Sequence, residues 1–346
     1  MKTFGIVSCL SVYGITHALV DAACIMLVLG GIDVREDLLA YLLLYNVLAF
    51  GLQLPFGWIL DRLRQPVVTA ILGVVLVSAS LMLFLYPLAA IILAGIGNAL
   101  FHVGGGTVAL NLRPHKAALP GVFVAPGGIG LFAGALILKL NGFHPLMLAL
   151  PLLLMGSLML VVKTPQVLYS AKNDRLGSAL DLAILLLLIT ICIRSIVGLS
   201  IEFPWKSNQL LLITLTASIA LGKVLGGFMA DYFGWIKIAV GGLIIASILL
   251  VFGQQSAIAG MTGLFFFNLT MPVTLVAISN VLPGRPGFSF GLATLAILAG
   301  ALPTFFHYKT LFAAPIIPLI IVSALTLFKG LKIIQSSSTS TKIIQS

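Results

Sequence analysis

PVVTAILGVVLVSASLMLFLYPLAAIILAGIGNALFHVGGGTVAL, residues 66 to 110, is 45 residues long and contains no Lys, Arg, Asp or Glu. A helix needs about 20 apolar residues to cross a bilayer, so this stretch is too long for one crossing and fits two, with the break at Tyr86 and Pro87. The same rule applied outward, with breaks at charge, Pro or Gly-Asn clusters, places further helices at 5 to 30, 38 to 60, 119 to 140 and 144 to 163. A second set falls at 179 to 201, 208 to 232, 236 to 253, 256 to 281, 288 to 306 and 310 to 329. The spacing predicts an all-α integral membrane protein of about twelve transmembrane helices joined by very short loops.

Composition agrees. With 60% hydrophobic residues, 8% charged residues and a mean hydropathy of +1.19, the chain cannot cover itself with polar surface as a water-facing globule. Cys9, Cys24 and Cys192 all lie inside apolar runs, an odd count with no oxidising lumen in reach, and read as small packing residues. The first apolar run is full length and carries His17 and Asp21, unlike the short, uncharged core of a cleavable signal peptide. A pI near 9.7 recurs in nucleic-acid binders, but here the basic residues are scattered singly among loops without interleaved aromatics, so no nucleic-acid partner is expected. Their arrangement fits membrane orientation instead. With both termini in the cytoplasm, the inner side receives Lys2, Arg62, Arg64, Arg113, Lys116, Lys163, Lys172, Arg175, Lys237, Arg285, Lys329, Lys332 and Lys342. The outer side receives Arg35, Lys139, Lys206 and Lys309, and thirteen against four is a positive-inside bias of the kind found in a plasma (inner) membrane protein.

The long polar connection between helices, Lys163 to Ser178, sits near mid-chain and divides it into an N-terminal six-helix bundle (1–163), a cytoplasmic linker (164–178) and a C-terminal six-helix bundle (179–330). A repeat supports pseudo-symmetric halves: G-W-I-L-D at Gly57 to Asp61 and G-F-M-A-D at Gly227 to Asp231, 170 residues apart, each closing the second helix of its half. The Ser/Thr-rich remainder, 331–346, repeats K-I-I-Q-S at Lys332 and Lys342 and reads as a disordered cytoplasmic tail.

A charge at mid-bilayer costs at least about 2.5 to 3.5 kcal/mol on insertion scales, so each one inside a span needs a reason. The third, sixth, ninth and twelfth helices hold no ionisable residue deep in the span and suit lipid-facing positions. The first, fourth, seventh and tenth hold His17 with Asp21, Asn98 with His102, Arg194, and Asn268. His17 and Asp21, four apart, share a helix face. A carboxylate in a partly dry cavity beside an imidazole is suited to load a coupling proton, and the same pair equally suits a hydrogen bond that only fixes packing. The Arg194 guanidinium offers a bidentate fork for a carboxylate or phosphonate, or a partner for Asp21; a head snorkelling to the interface is the alternative. Asn98 and His102 form a second polar stripe suited to substrate, among glycines that let helices approach closely.

These residues resemble the major facilitator superfamily. The family's loop motif between the second and third helices is matched by Gly57, Asp61, Arg62 and Arg64, with a partial second copy at Gly227, Asp231 and Gly234 that has Tyr232 and Phe233 where a basic residue would stand. T-H-A-L-V-D on the first helix and G-I-G-N-A-L-F-H on the fourth resemble the fosmidomycin-resistance-like drug-efflux branch, although Val103 and three glycines follow His102 where that branch has Pro. A-P-G-G-I-G from Ala125 to Gly130 is similar to the Gly-Pro motif of facilitator antiporters. The resemblance implies that the first, fourth, seventh and tenth helices line a central cavity. It also implies that Asp61, Arg62 and Arg64, with Gly57, Gly227 and Asp231, form a cytoplasmic latch. The expected function is secondary active transport by a monomer, proton-coupled efflux of small, possibly anionic, molecules by alternating access. Asp21 and His17 would carry the proton; Arg194, His102, Asn98 and Asn268 would bind substrate. A metabolite importer of the same fold is the alternative. Further off stands a membrane-embedded metal site or enzyme built on His17, Asp21 and His102. With no H-E-x-x-H, G-x-S-x-G or Walker-type loop, no enzyme activity, metal or cofactor is expected.

Overall fold

The computed structural model describes residues 3–31, 38–169, 177–306 and 316–344. Lys2, Arg35, Lys172, Arg175 and Lys309, counted above for orientation, and residues 170–176 of the expected linker lie outside the described residues. Twelve apolar helical spans follow one another, with no strand among the described residues. They are α1 (Thr3–Gly30), α2 (Leu38–Leu63), α3 (Pro66–Met82), α4 (Pro87–Leu112), α5 (Ala118–Asn141) and α6 (Pro145–Val161). Then come α7 (Ser178–Ser200), α8 (Gln209–Phe233), α9 (Trp235–Phe252), α10 (Ala257–Val281), α11 (Pro286–Phe305) and α12 (Ile316–Ile344). Ten are long enough to cross a membrane outright; α3 and α6, of 17 residues each, are shorter. Proline opens α3, α4, α6 and α11, where its missing N–H has no helical partner to lose and its fixed φ suits the first turn.

Two compact units share the chain. One comprises Met1–Pro114, Val122–Tyr169 and Arg285–Leu295; the other comprises His115–Gly121, Ser170–Gly284 and Ala296–Ser346. The halves expected from the sequence thus trade two short segments, the start of α5 and the start of α11. Each is tied to its unit by a carboxylate described below.

Within the first unit, α3 and α4 lie main chain to main chain, because a Cβ on Gly73 would strike the Phe101 backbone and one on Gly104 would strike Pro66 and Ala70. In the same way Gly130 and Gly134 of α5 leave no room for a side chain over Ala18 and Ala22 of α1. These contacts hold α1, α4 and α5 close enough for their polar residues to meet.

The expected disordered tail differs: α12 continues as helix to Ile344. Each residue added to its apolar N-terminal part contributes one main-chain hydrogen bond, and the hydroxyls of Ser336 and Ser337 donate to the Ile333 carbonyl.

Candidate functional site

In the first unit α1, α4 and α5 converge on a buried polar cluster. His17 and Asp21 project from one face of α1, and Asn98 and His102 from one face of α4, each pair four residues apart. All four are nearly closed to solvent, Asp21 at 8% and His102 at 9%. The two pairs, read from the sequence as separate stripes, form one network. Asn98 Nδ2 donates to Asp21 Oδ1 at 3.1 Å, and the Asp21 carboxylate lies 3.3 Å from His17 Nε2 and 3.7 Å from His102 Nε2. The imidazoles meet edge to face, Nε2 to Nε2, at 2.9 Å. Their other nitrogens are tethered to main-chain carbonyls, His17 Nδ1 to Phe123 at 2.7 Å and His102 Nδ1 to Asn98 at 2.9 Å. The Phe101 and Phe123 rings wall the cluster.

Two members were not legible in the sequence. Gly127 on α5 lies directly against the cluster, where a Cβ would land on His17 Nε2 and Asp21 Oδ2. Cys24, read as packing, receives the Asn98 amide at 3.8 Å and meets the Tyr45 side chain. One signal for Gly127 existed: it sits in the A-P-G-G-I-G stretch, next to Pro126.

In the second unit, Arg194 of α7 is 9% exposed. Its Nη2 donates to the Phe267 carbonyl at 3.2 Å, its guanidinium lies 5.1 Å from the centre of the Phe267 ring, and its Nε has no partner among the described residues. This carbonyl lies just before a break in α10. Ala257–Asn268 and Thr270–Val281 are separate helical pieces joined through Leu269. Pro272 lacks an N–H for the Asn268 carbonyl and crowds the preceding turn. The Thr270 hydroxyl also donates to Phe267, at 3.1 Å, as polar side chains do for backbone freed inside a membrane. Asn268 itself turns back to the Leu264 carbonyl. Among the described residues no carboxylate lies within 4.0 Å of the Arg194 guanidinium.

The two carboxylates of the loop motif each take a pair of main-chain N–H groups. In the first unit, Asp61 accepts from Gly287 N at 2.9 Å and Phe288 N at 2.8 Å, capping α11, and Gly57 one turn earlier lies so close to Gly287 that no Cβ fits. In the second, Asp231 accepts from Ala117 N at 3.0 Å and Ala118 N at 2.9 Å, capping α5, and Gly227 lies against the same residues. The second copy, which lacks the basic residue, makes the same contact and adds Trp235 Nε1 at 3.1 Å. Arg62 stacks on Trp58 at 3.5 Å, while Arg64 takes a left-handed φ of 59° closing α2 and lies 5.9 Å from the Tyr169 ring. Burial, with the Asp61 carboxylate, pushes the Tyr169 phenol up.

No family model and no curated protein matches this chain. Solved structures do. The E. coli fucose:proton symporter FucP aligns at a TM-score of 0.68 and 15% identity over 96% of this chain and 98% of its own, and the outward conformation of FucP, described as a Major Facilitator Superfamily transporter, gives 0.68 and 15% over 96% and 97%. A bacterial homologue of the iron transporter ferroportin, in its outward-facing state, aligns at 0.64 and 12% over 97% of this chain and 99% of its own. The chain has the major facilitator fold. The narrower likeness to the fosmidomycin-resistance-like branch gains nothing from these matches.

Proposed function

We propose that this protein is a multi-pass secondary transporter of the plasma (inner) membrane, with both termini cytoplasmic, that moves a small anion by alternating access and couples it to protons. The observation that carries the anion is Arg194. A guanidinium stays charged, and one buried in an apolar span, with no carboxylate against it and an unpartnered Nε, is balanced best by a ligand that brings negative charge. Its neighbour, the broken α10, is the kind of discontinuous helix at which transporters bind solutes. Asn268 lies at that break and belongs to the same proposed site.

Proton coupling is supported by the buried Asp21 and His17, one carboxylate and one imidazole in contact inside a span. The Asp61 and Asp231 caps serve as the latch: two main-chain bonds each, strong enough to bias a conformational equilibrium and weak enough to release. Two observations point in opposite directions on transport. The motifs on α1 and α4 resemble efflux proteins and support export by proton antiport; the structural likeness to a fucose:proton symporter supports import of a metabolite.

The experiment is flux in proteoliposomes under an imposed pH gradient, with phosphonates, organic acids and cationic drugs in parallel. An anion is expected to move, in a direction that separates antiport from symport. Arg194→Ala is expected to lower its kcat/KM by about 100-fold, the loss of a charge-assisted contact of about 3 kcal/mol. Transport of cationic drugs alone, or anion flux indifferent to Arg194→Ala, would overturn the anion reading.

A further inference from the structure

The contacts of His17 and His102 constrain where their hydrogens lie. A carbonyl oxygen only accepts, so the bonds from His17 Nδ1 to Phe123 and from His102 Nδ1 to Asn98 place a hydrogen on both Nδ1 atoms. In a neutral imidazole the other nitrogen is then a bare acceptor. Here the two Nε2 atoms face one another at 2.9 Å, the length of an N–H hydrogen bond, in a pocket where both rings are buried. Two lone pairs at that distance repel, and no solvent separates them. The contact closes only with a hydrogen in it.

We propose that His17 and His102 bind one proton between their Nε2 atoms, as an imidazolium paired with an imidazole, and that Asp21 is the ionised counter-ion. Loading forms one N–H bond at Nε2 and takes the cluster from a net charge of −1 to 0; unloading breaks that bond and restores −1. Asp21 suits the ionised role. Its Oδ1 accepts from the Asn98 amide at 3.1 Å, and its 3.3 and 3.7 Å distances from the imidazoles are those of an ion pair rather than of a proton bound on oxygen. Among the described residues, the other titratable groups around the cluster are Cys24, with Tyr13 and Cys9 earlier on α1, and Tyr45 from α2; α5 presents Phe123 and Gly127, which do not titrate. Thiols and phenols are ordinarily neutral at pH 7, so Asp21 supplies the balancing charge.

A divalent metal is the other cation that two imidazoles and a carboxylate suit, and the geometry favours the proton. With metal–nitrogen bonds of about 2.0–2.1 Å, a 2.9 Å separation closes the N–metal–N angle to about 90°, against about 109° for a tetrahedral ion. On the α5 side Gly127 comes so near that an added Cβ would land on His17 Nε2 and Asp21 Oδ2. His102 therefore belongs with the proton rather than with the substrate. For its place in transport the inference rests on the proton-coupled reading above; for its chemistry it does not.

Nitrogen NMR of the full-length protein, labelled at histidine and held in lipid nanodiscs, tests the chemistry without a substitution. The expected result at neutral pH is a pair of histidines with both Nδ1 protonated and a correlation between their Nε2 nuclei through one shared hydrogen, lost in His102→Gln and in His17→Gln. Two neutral rings with bare Nε2 atoms, or a stoichiometric metal in the purified protein that shifts these signals on chelation, would overturn it. In proteoliposomes, His102→Gln is expected to lose accumulation driven by a pH gradient. Full pH-driven accumulation by His102→Gln would sink the shared proton. A wild-type protein whose transport ignores the pH gradient would sink proton coupling and leave the NMR result standing.

Discussion

Asp61 and Asp231 act at the scale of single contacts. Each carboxylate sits at the end of one helix and takes two main-chain N–H groups from the first turn of another, where the helix dipole presents positive charge. An Asn retains an acceptor oxygen there and loses the charge. Asp61→Asn and Asp231→Asn are each expected to lower stability by about 1–2 kcal/mol, read as a drop in thermal unfolding temperature of the detergent-solubilised protein. The two sites share no partner, so the double variant should show the sum. Gly57→Ala is expected to cost more than either, about 1–3 kcal/mol, because its Cβ meets the rigid main chain of Gly287 rather than a side chain that can turn away. A Gly57→Ala protein as stable as wild type would show that this approach is not as close as described.

At the scale of elements, α10 shows a helix trading continuity for a polar surface. Beside its break at Leu269 the Phe267 carbonyl accepts from both the Arg194 guanidinium and the Thr270 hydroxyl, so an irregular turn of one helix meets a cation belonging to another. Pro272→Ala restores an N–H for the Asn268 carbonyl and lets the helix run on. The protein is then expected to be at least as stable as wild type while binding its anion more weakly, which ligand-induced thermal shifts would read; equal affinity in a more stable protein would separate the break from binding. The helix α12 shows the opposite tendency. It runs on through Ser336 and Ser337, whose hydroxyls donate to the Ile333 carbonyl.

At the scale of the molecule, the expected orientation puts the C-terminal end of α12 in the cytoplasm. Ser336 is exposed, and the native cysteines are buried or half-buried, so Ser336→Cys gives a reporter. A membrane-impermeant thiol reagent should label it in inside-out vesicles and leave it untouched in right-side-out ones; the reverse pattern would invert the topology. The twelve spans were legible from the chain alone because a bilayer imposes one length and one solvent on every crossing, so the 45-residue run at Pro66 must divide and every lysine must find a loop or a partner. The i, i+4 pairs His17–Asp21 and Asn98–His102 were legible for the same reason: helical spacing sets which residues share a face. That these two faces meet, that the motif carboxylates cap helix starts, and that Gly127 closes the cluster were decided by tertiary structure. Each depends on how near two main chains come, and that distance is set by glycines far apart in sequence, whose partners no local pattern names.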